Sequence, residues 1–85
     1  MEGRWTLTVD GREHVLALEQ RFQEVGGSVS AAGGPARIEQ GQVAGRRIRF
    51  VADLGEGPRE FEGRVVDGRI EPRAADAGWR AVRAG

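Results

Sequence analysis

The sequence predicts an all-β protein, a small antiparallel meander of seven or eight short strands that closes, or nearly closes, into a barrel. The tetrapeptide Val-Asp-Gly-Arg occurs at 9–12 and at 66–69, each time between segments that alternate apolar and polar residues. Asp-Gly between such segments indicates a tight hairpin, because its turn needs the positive φ that glycine adopts freely. No segment keeps a capped period of 3.6 residues, and 14 glycines are too many for helices of normal length.

The first part of the chain reads as three strands. Residues 4–10 alternate from Trp5 onward and predict a strand with one apolar face. After the first Asp-Gly turn, the same alternation continues through residues 13–22 as a long second strand. A third run, 22–30, is interrupted by paired glycines at 26–27, which predict a bulge or a sharp bend.

The second part repeats this logic with shorter segments. Each run of alternating residues ends at glycine or proline, which are the strongest local signals for turns. The segments are a flexible Ala-Ala-Gly-Gly-Pro loop at 31–35, short pieces around Ile38 and Val43, a hairpin of 47–54 with 59–66, a short strand at Ile70 that Pro72 ends, and a last strand at 79–84.

Eight short strands joined by tight turns form a closed barrel or a sandwich, since both arrangements protect the edge strands. Gly-Arg-Trp at 3–5 opens the first strand, and Gly-Trp at 78–79 opens the last. We therefore favour a barrel closed by pairing of the two terminal strands, with an open, strongly curved sheet as the alternative. The 85 residues are expected to form one domain, 1–85.

Composition limits the classes of function. The chain has no cysteine, which excludes disulfides and thiolate metal sites. Thirteen basic residues, all arginine, balance thirteen acidic residues, so the basic surplus of a nucleic-acid-binding protein is missing. Arginine without lysine indicates a GC-rich bacterial genome. Charged residues interrupt the N-terminal segment and no window is apolar enough to span a membrane, so we expect a cytoplasmic protein without a membrane partner.

An arginine-rich segment at 45–50 contains an aromatic residue, the combination that binds single-stranded nucleic acid in some sheet modules. The strand phase favours another interpretation. Arg47 and Arg49 fall on the outer face, towards Glu60 and Glu62 of the next strand, where opposite charges stabilise a pair of strands. We therefore predict a ladder of ion pairs and no nucleic-acid partner.

His14 is the only histidine, the side chain that titrates near neutral pH. Its position beside the first turn places it at the end of the barrel, where it would serve as a general base or ligand contact, or simply as a half-exposed strand residue. No second histidine or cysteine can join it around a metal. We predict no catalytic, cofactor-binding or metal-binding residues, and no cofactor.

Trp5, Trp79 and Arg83 complete the candidate contact residues. An arginine near the end of the last strand can stack on an indole at one end of the barrel. Gly-x-Trp on the first strand with an arginine on the last resembles the closure of lipocalin barrels, over those positions only. Core packing is the simpler role of both tryptophans, and the phase of the last strand stays open because Val82 competes with Trp79 for the inner face.

Nearly the whole chain resembles a β-module found at the C-terminal end of certain bacterial class I S-adenosylmethionine-dependent methyltransferases. The matching residues are glycines and core apolar residues at strand spacing. They lie in Trp-Thr-Leu-Thr-Val at 5–9, Gln-Arg-Phe-Gln-Glu-Val-Gly-Gly at 20–27, Gly-Gln-Val-Ala-Gly-Arg-Arg-Ile-Arg-Phe at 41–50, Phe-Glu-Gly-Arg-Val at 61–65, Gly-Arg-Ile at 68–70 and Trp-Arg-Ala-Val-Arg at 79–83.

The resemblance implies a non-catalytic accessory domain, excised from a longer chain, that positions or oligomerises a catalytic domain or helps to recognise its substrate. S-adenosylmethionine would bind only to that intramolecular partner, because its glycine-rich turn between a strand and a helix does not occur here. The alternative is a lipocalin-like module that binds a small apolar ligand in the space left by inward Ala52, Gly63 and Ala81.

Overall fold

The computed structural model describes residues 2–31, 33–74 and 76–84, and these form nine antiparallel strands. The all-β prediction is confirmed. None of the described residues belongs to a helix that could cross a membrane. The strands are β1 (Gly3–Val9), β2 (Arg12–Arg21), β3 (Glu24–Ala31), β4 (Gly34–Arg37), β5 (Glu39–Ala44), β6 (Arg47–Asp53), β7 (Pro58–Val66), β8 (Arg69–Pro72) and β9 (Trp79–Arg83).

Eight of the strands form a closed ring, in the order β1-β2-β3-β5-β6-β7-β8-β9 and back to β1. The last strand pairs with the first along its whole length, from Trp5 opposite Arg83 to Val9 opposite Trp79. The ring therefore has no free edge that could pair with another chain. The predicted closure through the terminal strands is confirmed.

The extra strand, β4, is the first half of one interrupted strand that follows β3. The Ile38 N–H between β4 and β5 donates to the Gly27 carbonyl oxygen at 3.0 Å, so hydrogen bonding continues through the break. The irregular residue is Gln40 in β5, with φ 52°, where the register against β6 also shifts. The bulge therefore lies in β5, opposite the glycine pair at which it was predicted. The glycine pair itself stays in register with β2.

Two boundaries differ from the prediction because the chain reverses sooner than its alternation indicates. Arg21 pairs with Glu24, so Phe22 and Gln23 form a two-residue turn and do not continue a strand. Ala31 pairs with Gly34, so the predicted flexible loop is a short connection, of which Ala32 lies outside the described residues.

Both Asp-Gly turns have the predicted geometry. Asp10 and Gly11 have φ of 50° and 82°, and Asp67 and Gly68 have φ of 46° and 77°. Positive φ at both central residues defines the type I′ turn, whose twist matches that of the flanking strands. The repeated tetrapeptide therefore encodes the same turn twice.

The core consists of the inner-face residues of all strands of the ring. Phe61 stacks on Phe50 at 5.0 Å between ring centroids and meets the edge of Trp79 at 5.3 Å. Pairing with β1 places Trp79 and Ala81 inside and Val82 outside, which decides the phase of the last strand. The buried residues are Trp5, Leu7, Val9, Leu16, Leu18, Val25, Val29, Ile38, Val43, Ile48, Phe50, Ala52, Phe61, Ile70, Trp79 and Ala81.

The two ends of the barrel differ in what they carry. We call the end with Glu2, Ala84 and the turns at 22–23, 45–46 and 67–68 the terminal end. The opposite end, with the turn at 10–11 and the connections at 54–57 and 73–78, is the loop end.

The adjacent glycines of β3 provide a stability test. A Cβ at Gly27, whose φ is 130°, would overlap the carbonyl oxygen of Ala17, whereas a Cβ at Gly26 meets nothing within 4 Å. We expect Gly27→Ala to reduce the free energy of unfolding by roughly 3 kcal/mol, because it combines overpacking with backbone strain. Gly26→Ala should change it by about 0.5 kcal/mol or less. Equal effects in urea denaturation would contradict this description of the β2–β3 pairing.

Candidate functional site

The four predicted contact residues do not form one site. Trp5 and Arg83 lie together at the terminal end, whereas His14 and Trp79 lie towards the loop end. These four side chains therefore do not line a single pocket.

Arg83 covers the indole of Trp5. The two residues are cross-strand partners, and the guanidinium carbon lies 5.6 Å from the centre of the indole ring. Nη2 of Arg83 donates to the Glu2 carbonyl oxygen at 2.9 Å. A Cβ at Gly3 would lie 3.0 Å from the same nitrogen, which explains glycine two residues before the tryptophan. The predicted stacking of an arginine on an indole is thus present, on Trp5.

Arg59 has the corresponding position at the loop end, and sequence reasoning missed it. Its guanidinium carbon lies 5.4 Å from the centre of the Phe61 ring, and Nη2 donates to the Ala77 carbonyl oxygen at 2.8 Å. Nη1 lies 3.5 Å from a carboxylate oxygen of Asp10. Arg59 shares the phase of Phe61, so its inward direction was visible in the sequence. Each end of the barrel therefore has an arginine over a core aromatic ring.

His14 is held by the main chain. Its Nδ1 lies 2.7 Å from the Ser30 carbonyl oxygen, and since a carbonyl oxygen only accepts, Nδ1 carries the hydrogen. The imidazole ring of His14 lines an open groove of about 460 Å³ at the loop end, together with Asp10, Glu56 and Arg59. Among the described residues, no three histidine, aspartate or glutamate side chains come together to hold a metal ion.

Trp79 and Trp5 are both core residues. Trp79 is 6% exposed, and its ring occupies the space beside Gly63, where a Cβ would come within 3.1 Å of it. Trp5 is 1% exposed, and its indole N–H has no hydrogen-bond partner in the described part of the chain. The Trp5 N–H is the feature of the interior that a polar ligand atom or a water could satisfy.

Among the described residues, the outer surface carries three exposed large apolar side chains. Val15 (57% exposed) and Val82 (49% exposed) both lie directly opposite Thr6, one on each neighbouring strand. We call Val15, Thr6 and Val82 the valine patch. The third exposed side chain, Phe22 (89% exposed), lies at the tip of the β2–β3 turn on the terminal end. Strand alternation alone did not identify either feature.

The predicted ladder of ion pairs on β6 and β7 is wrong for Arg47 and Glu62. Arg47 lies directly opposite Arg64, a like-charge pair, beside an open groove of about 420 Å³. The register decides this, because it places Glu62 opposite Arg49 and leaves Arg64 opposite Arg47. The ion pairs that do form on this face are Arg49–Glu60 at 3.5 Å and Arg73–Glu62 at 2.9 Å.

Comparison with known proteins adds no relative. No family model matches the chain, no curated protein is similar to it, and no solved structure matches it.

The arginine cover of Trp5 can be tested by unfolding. Arg83→Met keeps the aliphatic stem but removes the cation and the hydrogen bond to Glu2, and we expect it to reduce the free energy of unfolding by about 1 kcal/mol. Arg80→Met, on the outer face of the same strand, is the control and should change it by about 0.5 kcal/mol or less. Equal losses in urea denaturation would show that the cover of Trp5 contributes nothing specific.

Proposed function

We propose that this barrel is a non-catalytic accessory β-domain of a larger bacterial enzyme, which acts through its outer surface on a catalytic domain of the same protein. From the sequence resemblance, we propose that this enzyme is an S-adenosylmethionine-dependent methyltransferase. The observation that carries the proposal is the contrast between an interior filled by its own side chains and an exterior with exposed apolar residues.

The interior supports the proposal because the positions expected to leave room are occupied. Gly63 does not open a cavity, since the Trp79 ring fills the space beside it. Ala52 and Ala81 are 2% and 0% exposed within the same cluster. The interior of an eight-stranded barrel is narrow enough for its own side chains to fill it. With Arg59 and Arg83 over the two ends, the side chains fill and cover the barrel.

The exterior supports it because the valine patch lies on a regular part of the wall. Val15, Thr6 and Val82 are neighbours in one row across β2, β1 and β9, so the two exposed valines lie on either side of a threonine. Arg80 and Glu13 lie on either side of Thr8 in the next row. Interfaces between domains of one chain are typically mixed in this way, smaller and more polar than a core.

Binding of a small apolar ligand is the second candidate, and one observation favours it. The Trp5 N–H lacks a partner, and a groove of about 430 Å³ opens at the terminal end between Val43 and Val65. A ligand that enters there would place a polar atom near the indole only if it displaced side chains of the filled core. The accessory function needs no such rearrangement, and we prefer it.

The accessory function is tested by binding in trans. The barrel is titrated with the methyltransferase catalytic domain encoded in the same gene or operon, and we expect saturable binding by calorimetry. Val82→Asp should weaken it by roughly tenfold or more, because a charge then enters a desolvated contact. Ala44→Asp adds the same charge on the exposed face of β5 and is the matched control. Absence of binding, or equal loss in both variants, would contradict the proposal.

The ligand alternative is tested separately. A panel of fatty acids and small aromatic compounds should leave the tryptophan fluorescence and the amide chemical shifts of the barrel unchanged, since Trp5 and Trp79 are packed in a filled interior. A saturable change in the Trp5 signal with any member of the panel would favour the ligand-binding function over the accessory one.

A further inference from the structure

Phe22 combines two unfavourable properties in the isolated barrel. Its side chain is 89% exposed, and its backbone φ is 58°, a value that is a clear outlier for a bulky residue. Gln20 holds the turn in place, because its Nε2 donates to the Phe22 carbonyl oxygen at 2.8 Å. The turn thus presents an aromatic ring to solvent in a fixed position.

The β5–β6 turn shows which residue type is favoured at the first position of such a turn. Gly45 there is the first of two turn residues and has φ of 60°, which nearly equals that of Phe22. In both turns only the first residue has a positive φ, a pattern that favours glycine at that place. Folding of one barrel therefore gains nothing from phenylalanine at 22. Strain and apolar exposure at the same residue indicate a contact with something outside the barrel.

The surroundings of Phe22 are acidic. Glu2, Glu19 and Glu24 line an open groove of about 500 Å³ beside the turn, with Arg21 as the only cation among its lining residues. None of these three carboxylates lies within 4.0 Å of a cation among the described residues. These three glutamates, which we call the acidic collar, repel anionic membranes and nucleic acids. The acidic collar fits a groove that contains apolar side chains and has a cation at its edge.

A groove of that kind lies on the same end of this barrel. Val43, Val65 and Val66 line an open depression of about 430 Å³, and the exposed Arg46 stands at its edge. Gln20 also lines this groove, so it lies immediately next to the Phe22 turn. Asp67 is the one carboxylate among its lining residues.

We infer that two copies of this chain associate through their terminal ends, each inserting Phe22 into the valine-lined groove of the other. A twofold axis in the plane of this end, midway between Phe22 and the groove, exchanges the two positions. The same operation brings Glu24 of each copy towards Arg46 of the other. This inference does not depend on the proposed function, which uses the valine patch on the side of the barrel.

The dimer is expected to be weak. A molecule of 31 × 26 × 25 Å offers at its end an area at the low limit of the roughly 800 Å² per partner that stable complexes bury. We therefore expect a dissociation constant between about 10 µM and 1 mM.

Analytical ultracentrifugation of the full chain tests the inference over that range of concentration. The wild-type protein should shift from monomer to dimer, and Phe22→Gly should stay monomeric. The same variant should melt higher, by roughly 4–8 °C, because it relieves the backbone strain, so its failure to associate is not a failure to fold. Gln40→Gly relieves a similar φ of 52° within β5, outside the turns of the terminal end, and should dimerise like the wild type.

Charge reversal tests the proposed pairing. Glu24→Arg and Arg46→Glu should each raise the dissociation constant roughly tenfold, and the double variant should restore it, since the opposite charges then face each other again. A wild-type protein that is monomeric at the highest concentration would overturn the inference. A Phe22→Gly variant that still dimerises, or binding of the monomer through Phe22 to vesicles of anionic phospholipid, would also overturn it.

Discussion

Antiparallel pairing between the first and last strands is the interaction on which the rest of the structure depends. It joins residues that are almost the whole length of the chain apart, from Trp5 opposite Arg83 to Val9 opposite Trp79. Without it, β1 would keep only its pairing with β2, and β9 would have only two residue pairs with β8. The closed ring removes the sheet edges and brings the two tryptophans into one core. It also forms the valine patch, because Val15 and Val82 become neighbours only through β1.

The two covering arginines follow from the same closure. A barrel of short strands has two ends at which core aromatic rings would meet water, and this chain covers each ring with a guanidinium that also binds a main-chain carbonyl oxygen. Arginine suits this position because its planar group stacks on the ring while its edge keeps donors for the main chain. The aromatic rings at both ends of the core are thereby covered.

The outer surface carries two separate features with different physical character. The valine patch lies on regular strands without positive φ, which suits a contact between domains. Phe22 projects from a strained turn within an acidic collar, which suits insertion into a groove. The first supports the accessory function, and the second supports self-association. They lie on different parts of the barrel, its side and its end.

The strand class and both Asp-Gly turns could be predicted from the sequence alone. These depend on local backbone preferences and on an alternation of period two, which are written in neighbouring residues. The pairing of strands in the folded chain settles the rest: closure of the ring over an open sheet, Arg83 on the indole of Trp5, Arg47 opposite Arg64, the bulge at Gln40 and Phe22 in a turn. Register between strands and the closeness of two backbones set these features. Both are properties of strand pairs, and a single strand's sequence does not contain them.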